Sequence, residues 1–156
     1  MIQANFEKDC IIKKRGLFLR LTKKKVGEEW VTPLDIVNAH LKLVDEGKPV
    51  WFSHSQLRSS KIERLIVFTW KGGEWFAAEL FFDQYLTEKT PFIPALVSVE
   101  NTPEIWAGVA EKCWVHVTGY EELSMTDLHQ IVSTKSGTPL DKKIQERGFR
   151  ASEFNL

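Results

Sequence analysis

The sequence has few cysteines and lacks any long apolar run. Its 156 residues include two cysteines, Cys10 and Cys113, which stand far apart and outside CxxC spacing. The pattern therefore indicates neither a disulfide framework nor a zinc cluster. No stretch approaches the roughly 20 apolar residues that cross a bilayer, and the start MIQANFEKDC does not resemble a signal peptide. We expect a cytoplasmic protein that does not enter a membrane.

The short motifs of common enzyme classes are also missing. The sequence contains no GxGxxG after a strand, no GxxxxGK[ST], no HExxH and no GxSxG. We therefore expect no cofactor and favour a non-catalytic role. Two alternatives stay open: a general base at His54 or His116, or a metal site built from these two histidines and a carboxylate. His40 and His129 lie in segments with helical patterns, where we expect structural roles.

The formal net charge is zero, which argues against nucleic-acid binding by bulk attraction alone. The charges are unevenly distributed, however. Residues 1 to 71 contain 14 Lys and Arg against 8 Asp and Glu, residues 72 to 134 contain 2 against 10, and residues 135 to 156 contain 5 against 3. If the two ends of the chain lie together in space, they will form a basic face.

Length and composition favour one globular domain over residues 1–156, with 43% hydrophobic and 27% charged residues. The best helix signal is VTPLDIVNAHLKLVDEGKP. Thr32 is placed to cap it and Gly47 to end it. The predicted buried stripe consists of Leu34, Val37, Leu41 and Val44.

Two apolar runs surround Gly72 and Gly73 and predict a hairpin. With these glycines as the loop, Trp70 pairs with Trp75, Phe68 with Ala77 and Ile66 with Glu79. Further strands are indicated by RGLFLRLTKKK and by KCWVHVTGY, whose Cys113, Val115 and Val117 form the expected core face. Additional helices are predicted to begin at Thr102, Ser124 and Thr138. This order predicts an α+β fold: a curled, mainly antiparallel sheet or small β-barrel with flanking helices.

A dense polar run follows the predicted strand around Trp51. The stretch WFSHSQLRSSK supplies hydroxyl, imidazole, amide and guanidinium groups, which bind phosphates and base edges. A solvated loop is the ordinary alternative. We predict that Ser53, His54 and Ser55 contact a ligand. The predicted phosphate-binding residues are Arg58, Lys61, Lys23 and Lys24.

The chain contains six tryptophans, most of which we expect in the core. Trp70, Trp75 and Trp114 fall on predicted strands beside polar groups. There an exposed indole can stack on a planar ring or face a methylated cation. These three residues are therefore candidates for an aromatic ligand pocket.

The glycine-ended helix, the segment GKPVWFSHS, the strand pair and the later WVHV together resemble the PUA-like superfamily, especially EVE and YTH-type domains. In those domains a segment of the form G-D-x-V-x-F-Y-x-S follows a helix; here position 48 is Lys. The resemblance implies a curled sheet with flanking helices that binds RNA or a modified base in an aromatic cage. It implies that Trp51, Ser53 and His54 line the pocket mouth. The walls would be Trp70, Trp75 or Trp114.

Our main hypothesis is a non-catalytic module of bacterial or phage origin that binds RNA or DNA. The alternative is a protein-interaction module of phage or defence origin. In that alternative, the acidic middle segment and exposed aromatic residues contact a protein partner.

Overall fold

The computed structural model describes residues 15–21, 23–26, 28–48, 50–53, 62–90 and 112–155. The strands are β1 (Arg15–Arg20), β2 (Lys24–Val26), β3 (Glu29–Val31), β4 (Val50–Ser53), β5 (Arg64–Lys71), β6 (Glu74–Thr90), β7 (Lys112–Leu123) and β8 (Ala151–Asn155). The helices are α1 (Pro33–Asp45), α2 (Met125–His129) and α3 (Leu140–Lys143). The helix predicted at Thr102 lies outside the described residues. No helix among the described residues is long and apolar enough to span a membrane.

Six strands form one sheet in the order β4-β7-β6-β5-β1-β8, and β2 pairs with β3 separately. All neighbours in the large sheet are antiparallel except β1 and β5, which are parallel. The predicted α+β class with a mainly antiparallel sheet is therefore confirmed. The barrel alternative is wrong for the part of the chain that the structure describes, because β4 and β8 are separate edges that do not pair. This class does not single out a PUA-like fold.

The hairpin between β5 and β6 has the predicted register. Trp70 lies opposite Trp75, Phe68 opposite Ala77 and Ile66 opposite Glu79. The loop glycines adopt positive φ angles of 53° at Gly72 and 97° at Gly73. Two consecutive residues with positive φ make a turn whose twist matches that of the flanking strands. The glycine pair therefore fixes which side chains share a face.

Helix α1 begins and ends as predicted. The Thr32 hydroxyl accepts a hydrogen bond from the Asp35 amide at 3.1 Å, and Gly47 follows the helix with a φ of 72°. The buried residues of α1 are Ile36, Val37, His40 and Leu41. The predicted stripe was therefore only half right, because Leu34 and Val44 are partly buried against the same core.

Both faces of the sheet are covered. The face that contacts α1 carries a core cluster of Leu17, Leu19, Leu21, Val37, Leu41, Val50, Phe52, Ile62, Leu65, Val67, Leu80, Cys113, Val115 and Val117. The opposite cluster consists of Phe18, Ile66, Phe68, Ala77, Leu128, Ile131, Leu140, Ile144 and Phe154, several of them from the segment that contains α2 and α3. Two covered faces explain why the β5–β6 hairpin is apolar on both sides.

The C-terminal helices follow their sequence signals unequally. Ser124 caps α2 in a reciprocal capping box with Asp127, as the sequence predicts. The cap predicted at Thr138 was wrong: Pro139 occupies the cap position of α3 and makes no side-chain cap hydrogen bond. The predicted core role of Cys113 is confirmed by its burial, whereas Cys10 lies outside the described residues.

Candidate functional site

Three of the predicted ligand-binding residues lie in the protein interior. The exposed fraction is 6% for Trp51 and 0% for Ser53 and Trp114. The two tryptophans form a core cluster with Ile36 of α1. Strand β4 pairs with β7, so that Ser53 lies opposite Trp114 and Trp51 lies opposite His116. The prediction that these three side chains line a pocket mouth or wall is therefore corrected: they are buried in the protein interior.

The polar run after β4 lies outside the described residues. This applies to His54, Ser55, Arg58 and Lys61, whose predicted roles stay predictions. Lys24 lies in β2, where its backbone pairs with that of Val31.

Trp70 and Trp75 lie together at the end of the β5–β6 hairpin, where we expected aromatic ligand contacts. Trp70 is 52% exposed, and Trp75 is partly buried. Their rings meet edge to face with centroids 4.9 Å apart and an interplanar angle of 80°. The guanidinium carbon of Arg20 lies 5.5 Å from the ring centroid of Trp75. We call Arg20, Trp70 and Trp75 the hairpin surface.

The sheet register places these three side chains on one face. Arg20 is the last residue of β1 and lies beside Phe68 of β5, two residues before Trp70. Because residues two positions apart in a strand share a face, Arg20 reaches the pair of indoles that the hairpin turn brings together. The backbone of Arg150 is adjacent to that of Arg20, since the Arg150 carbonyl accepts a hydrogen bond from the Arg20 amide at 2.7 Å.

Stacked rings connect the hairpin surface to the core. The Trp75 ring contacts Phe68 edge to face at 5.8 Å, and Phe68 stacks on Phe18 at 4.4 Å and on Phe149 at 5.8 Å. Phe18 and Phe68 are fully buried. Because core side chains are held in single packed positions, this series of contacts fixes the orientation of the exposed Trp70 ring. A preordered ring loses little conformational freedom when a ligand binds.

A second exposed indole lies in the two-stranded sheet of β2 and β3. Trp30 is 58% exposed, and the Lys23 ammonium lies 4.8 Å from its ring centroid. We call these two residues the Lys23–Trp30 pair. Only three peptide units separate Lys23 from Arg20, so the two Cα atoms lie within roughly 10 Å. The Lys23–Trp30 pair and the hairpin surface therefore have the same chemistry and are neighbours along the chain.

Two histidines form pairs with carboxylates. His116 Nδ1 lies 2.6 Å from Asp83 Oδ1, and the His116 ring is 5.0 Å from that of Trp51. His129 Nδ1 lies 3.0 Å from Asp141 Oδ1. Among the described residues, no group of three or more His, Cys, Asp or Glu side chains is placed to hold a metal ion. His54 lies outside the described residues, so the metal and general-base alternatives that include it stay open.

Sequence reasoning missed Arg20 and Trp30 as site residues. Trp30 carries a readable signal, since it follows the lysine run 23–25 by only a few residues. Arg20 carries none, because its position beside Trp75 depends on the parallel pairing of β1 with β5. Comparisons with protein-family models, curated proteins and solved structures give no match to this chain. The resemblance to PUA-like domains thus stays a prediction.

Proposed function

We propose that this chain binds single-stranded RNA or DNA, without catalysis, through the hairpin surface. The observation that supports this function is the half-exposed indole of Trp70, held edge to face by Trp75 beside the Arg20 guanidinium. Single-strand-binding proteins combine such aromatic platforms with cations that contact the backbone. A base stacks on the open face of Trp70 while Arg20 contacts a neighbouring phosphate.

The free energy of base stacking favours binding of an unpaired strand over binding of a duplex. Stacking a base on an aromatic side chain contributes roughly 1–3 kcal/mol. Bases in a duplex are already stacked on one another and present no free face. Because the formal net charge is zero, bulk attraction adds little, and affinity depends on a few local contacts.

The proposed site differs from an enclosed cage for a modified base. Trp51 and Trp114 are buried, and we assign them to the core rather than to the ligand. An open ring on a sheet surface tolerates any base, because every base has a π face. We therefore expect weak sequence preference.

Fluorescence anisotropy with labelled oligonucleotides tests this function. Single-stranded RNA, single-stranded DNA and a duplex of the same sequence are titrated with the full chain at low and at higher salt. We expect the single strands to bind more tightly than the duplex and both affinities to fall as salt rises. Absence of binding to every single strand at low salt would contradict the proposal.

The same exposed aromatic side chains suit a protein partner, which is the competing outcome. Affinity capture from lysate with and without nuclease separates the two. A captured protein that survives nuclease treatment, together with no oligonucleotide binding, would replace our proposal with the protein-interaction alternative.

A further inference from the structure

A cavity of about 530 Å³ lies beside the edge strand β8, apart from the indoles of the hairpin surface. Its volume is within the roughly 300–1,000 Å³ of small-molecule sites. Its lining includes Arg15, Ser133, Lys135, Lys143, Phe149 and Glu153. The set combines cations and hydroxyl groups with an apolar and aromatic wall.

The two ends of the described chain meet at this cavity. Strand β1 pairs antiparallel with β8, so that Leu17 lies opposite Glu153. The turn 133–136 is attached to β8 because the Thr134 amide donates a hydrogen bond to the Glu153 carbonyl at 2.9 Å. Arg15 from the basic N-terminal part and Lys135 from the basic C-terminal part therefore line the same cavity.

The cations of the cavity differ in their partners. Arg15 pairs with Glu153 at 2.6 Å, and Lys143 pairs with Glu146 at 2.7 Å. Lys135 forms no ion pair with any residue that the structure describes. Of the lining side chains, three are cationic and one is a carboxylate, so the cavity favours an anion.

Hydroxyl groups line the same cavity as these cations. The Ser133 and Ser152 hydroxyl oxygens lie 2.6 Å apart, and Ser133 is buried. Thr134 and Ser136 lie on either side of Lys135 in the same turn. Hydroxyl and ammonium groups are donors that suit phosphate oxygens. The apolar wall of Leu17, Ile62 and Phe149 suits a ligand body that is not charged.

We propose that this cavity binds a phosphorylated small molecule of about mononucleotide size. The phosphate contacts Lys135 and the hydroxyl groups of its turn, and the uncharged body lies against the apolar wall. Glu153 opposes the ligand, because it places a carboxylate in the cavity and occupies Arg15. The cavity is a second site, and it goes beyond the proposed binding of a single strand.

Isothermal titration calorimetry of the full chain with AMP, adenosine and inorganic phosphate tests this site. We expect AMP to bind at least about tenfold more tightly than adenosine, because a charge-assisted contact is lost with the phosphate. Inorganic phosphate should bind more weakly than AMP, since it lacks the body that packs on the apolar wall.

Two substitutions should change AMP affinity in opposite directions. Lys135→Ala removes the unpaired cation and should weaken binding about tenfold, whereas Glu153→Gln removes the opposing carboxylate and should strengthen it. Lys142→Ala, at an exposed position of α3 outside the cavity, is the matched control. A general change in net charge would affect Lys135→Ala and Lys142→Ala equally.

Three results would overturn the site. One is equal affinity for AMP and adenosine, and another is an equal loss of AMP affinity in Lys135→Ala and Lys142→Ala. The third is loss of AMP binding in Trp70→Ala, since the nucleotide would then be stacking on the hairpin surface. Failure of single-strand binding with AMP binding intact would instead contradict only the proposed function.

Discussion

The edge of one indole in the Trp70–Trp75 pair points at the face of the other, with ring centroids 4.9 Å apart. The two residues lie directly opposite each other in the β5–β6 ladder, and one residue pair, Lys71 and Glu74, separates them from the glycine turn. Edge-to-face pairs of this kind contribute about 0.5–1.5 kcal/mol beyond burial. Trp75 therefore acts as the support and Trp70 as the accessible ring. This asymmetry gives the proposed function its sharpest test.

Trp70→Ala should weaken binding of single-stranded oligonucleotides by about 5- to 150-fold, the equivalent of one lost stacking contact of 1–3 kcal/mol. The fold should be little affected, because the side chain is half exposed. Fluorescence anisotropy gives the affinity and urea denaturation gives the free energy of unfolding.

Phe81→Ala is the matched control for Trp70→Ala. Phe81 is another exposed aromatic residue of β6, with 42% of its surface accessible, and it does not belong to the hairpin surface. Equal losses in the two variants would mean that general surface hydrophobicity, rather than the Trp70 ring, carries the affinity.

The parts of this structure that could be predicted depend on local signals. The register of Trp70 with Trp75 follows from two glycines and the strand alternation beside them, and the start of α1 follows from Thr32 and Pro33. Burial of Trp114 could not be predicted in this way. The sequence of β7 alternates in the way that is typical of a strand with one solvent-exposed face. The Trp114 ring is buried because β7 pairs with β4 and because Ile36 packs in the same cluster.

The same limit applies to the cations. Arg20 lies beside Trp75 through the pairing of two strands distant in sequence, and Arg15 lines the same cavity as Lys135 through the pairing of the first and last strands. The uneven charge distribution predicts a basic region where the two ends of the chain lie together, but it does not predict which residues share that region. Both sites depend on the pairing of strands that are distant in sequence, and no short sequence pattern encodes that pairing.

Gly16 should not tolerate a larger side chain, because the Phe154 ring lies over it. The two residues are cross-strand partners, and a Cβ atom on Gly16 would overlap the ring. Phe154 is fully buried, so it has no free space to move into. Gly16→Ala should therefore lower the free energy of unfolding by about 1–3 kcal/mol, as overpacking does.

Gly119→Ala is the control for Gly16→Ala. A Cβ at Gly119 would lie 3.7 Å from the nearest atom of Phe81, which is an ordinary contact. Urea denaturation should give a clearly smaller loss for this variant. Equal losses of the free energy of unfolding in the two variants would show that the lost flexibility of glycine, rather than overlap with the Phe154 ring, destabilises Gly16→Ala.

Stability should fall in mild acid because of His40. Burial lowers the pKa of this imidazole from 6.5 to about 4, although hydrogen bonds with the backbone of Ile36 and Trp51 act in the opposite direction. Between these two values the unfolded chain takes up a proton and the folded chain does not. The free energy of unfolding should therefore fall by roughly 2 kcal/mol from about pH 7 to about pH 5.

A His40→Leu variant isolates this contribution, since the carboxylates titrate alike in both proteins. Urea denaturation at the two pH values should give a shallower pH dependence for His40→Leu than for the parent. Parallel stability curves for the parent and His40→Leu would contradict the assignment.

The Lys23–Trp30 pair should extend the hairpin surface for long strands. The Lys23–Trp30 pair and the hairpin surface each have an exposed indole and a cation close to an indole ring. Arg20 of one and Lys23 of the other are so near in the chain that their Cα atoms lie within roughly 10 Å. A strand of about sixteen nucleotides is long enough to contact both, whereas one of about four nucleotides is near the lower limit of a single site. Linked contacts raise affinity only when one ligand spans them.

Trp30→Ala should therefore weaken binding of the long oligonucleotide several-fold and that of the short one much less, while Phe81→Ala changes neither. Anisotropy titrations of both lengths measure this difference, and unchanged affinity of the long strand in Trp30→Ala would confine the interface to Arg20, Trp70 and Trp75.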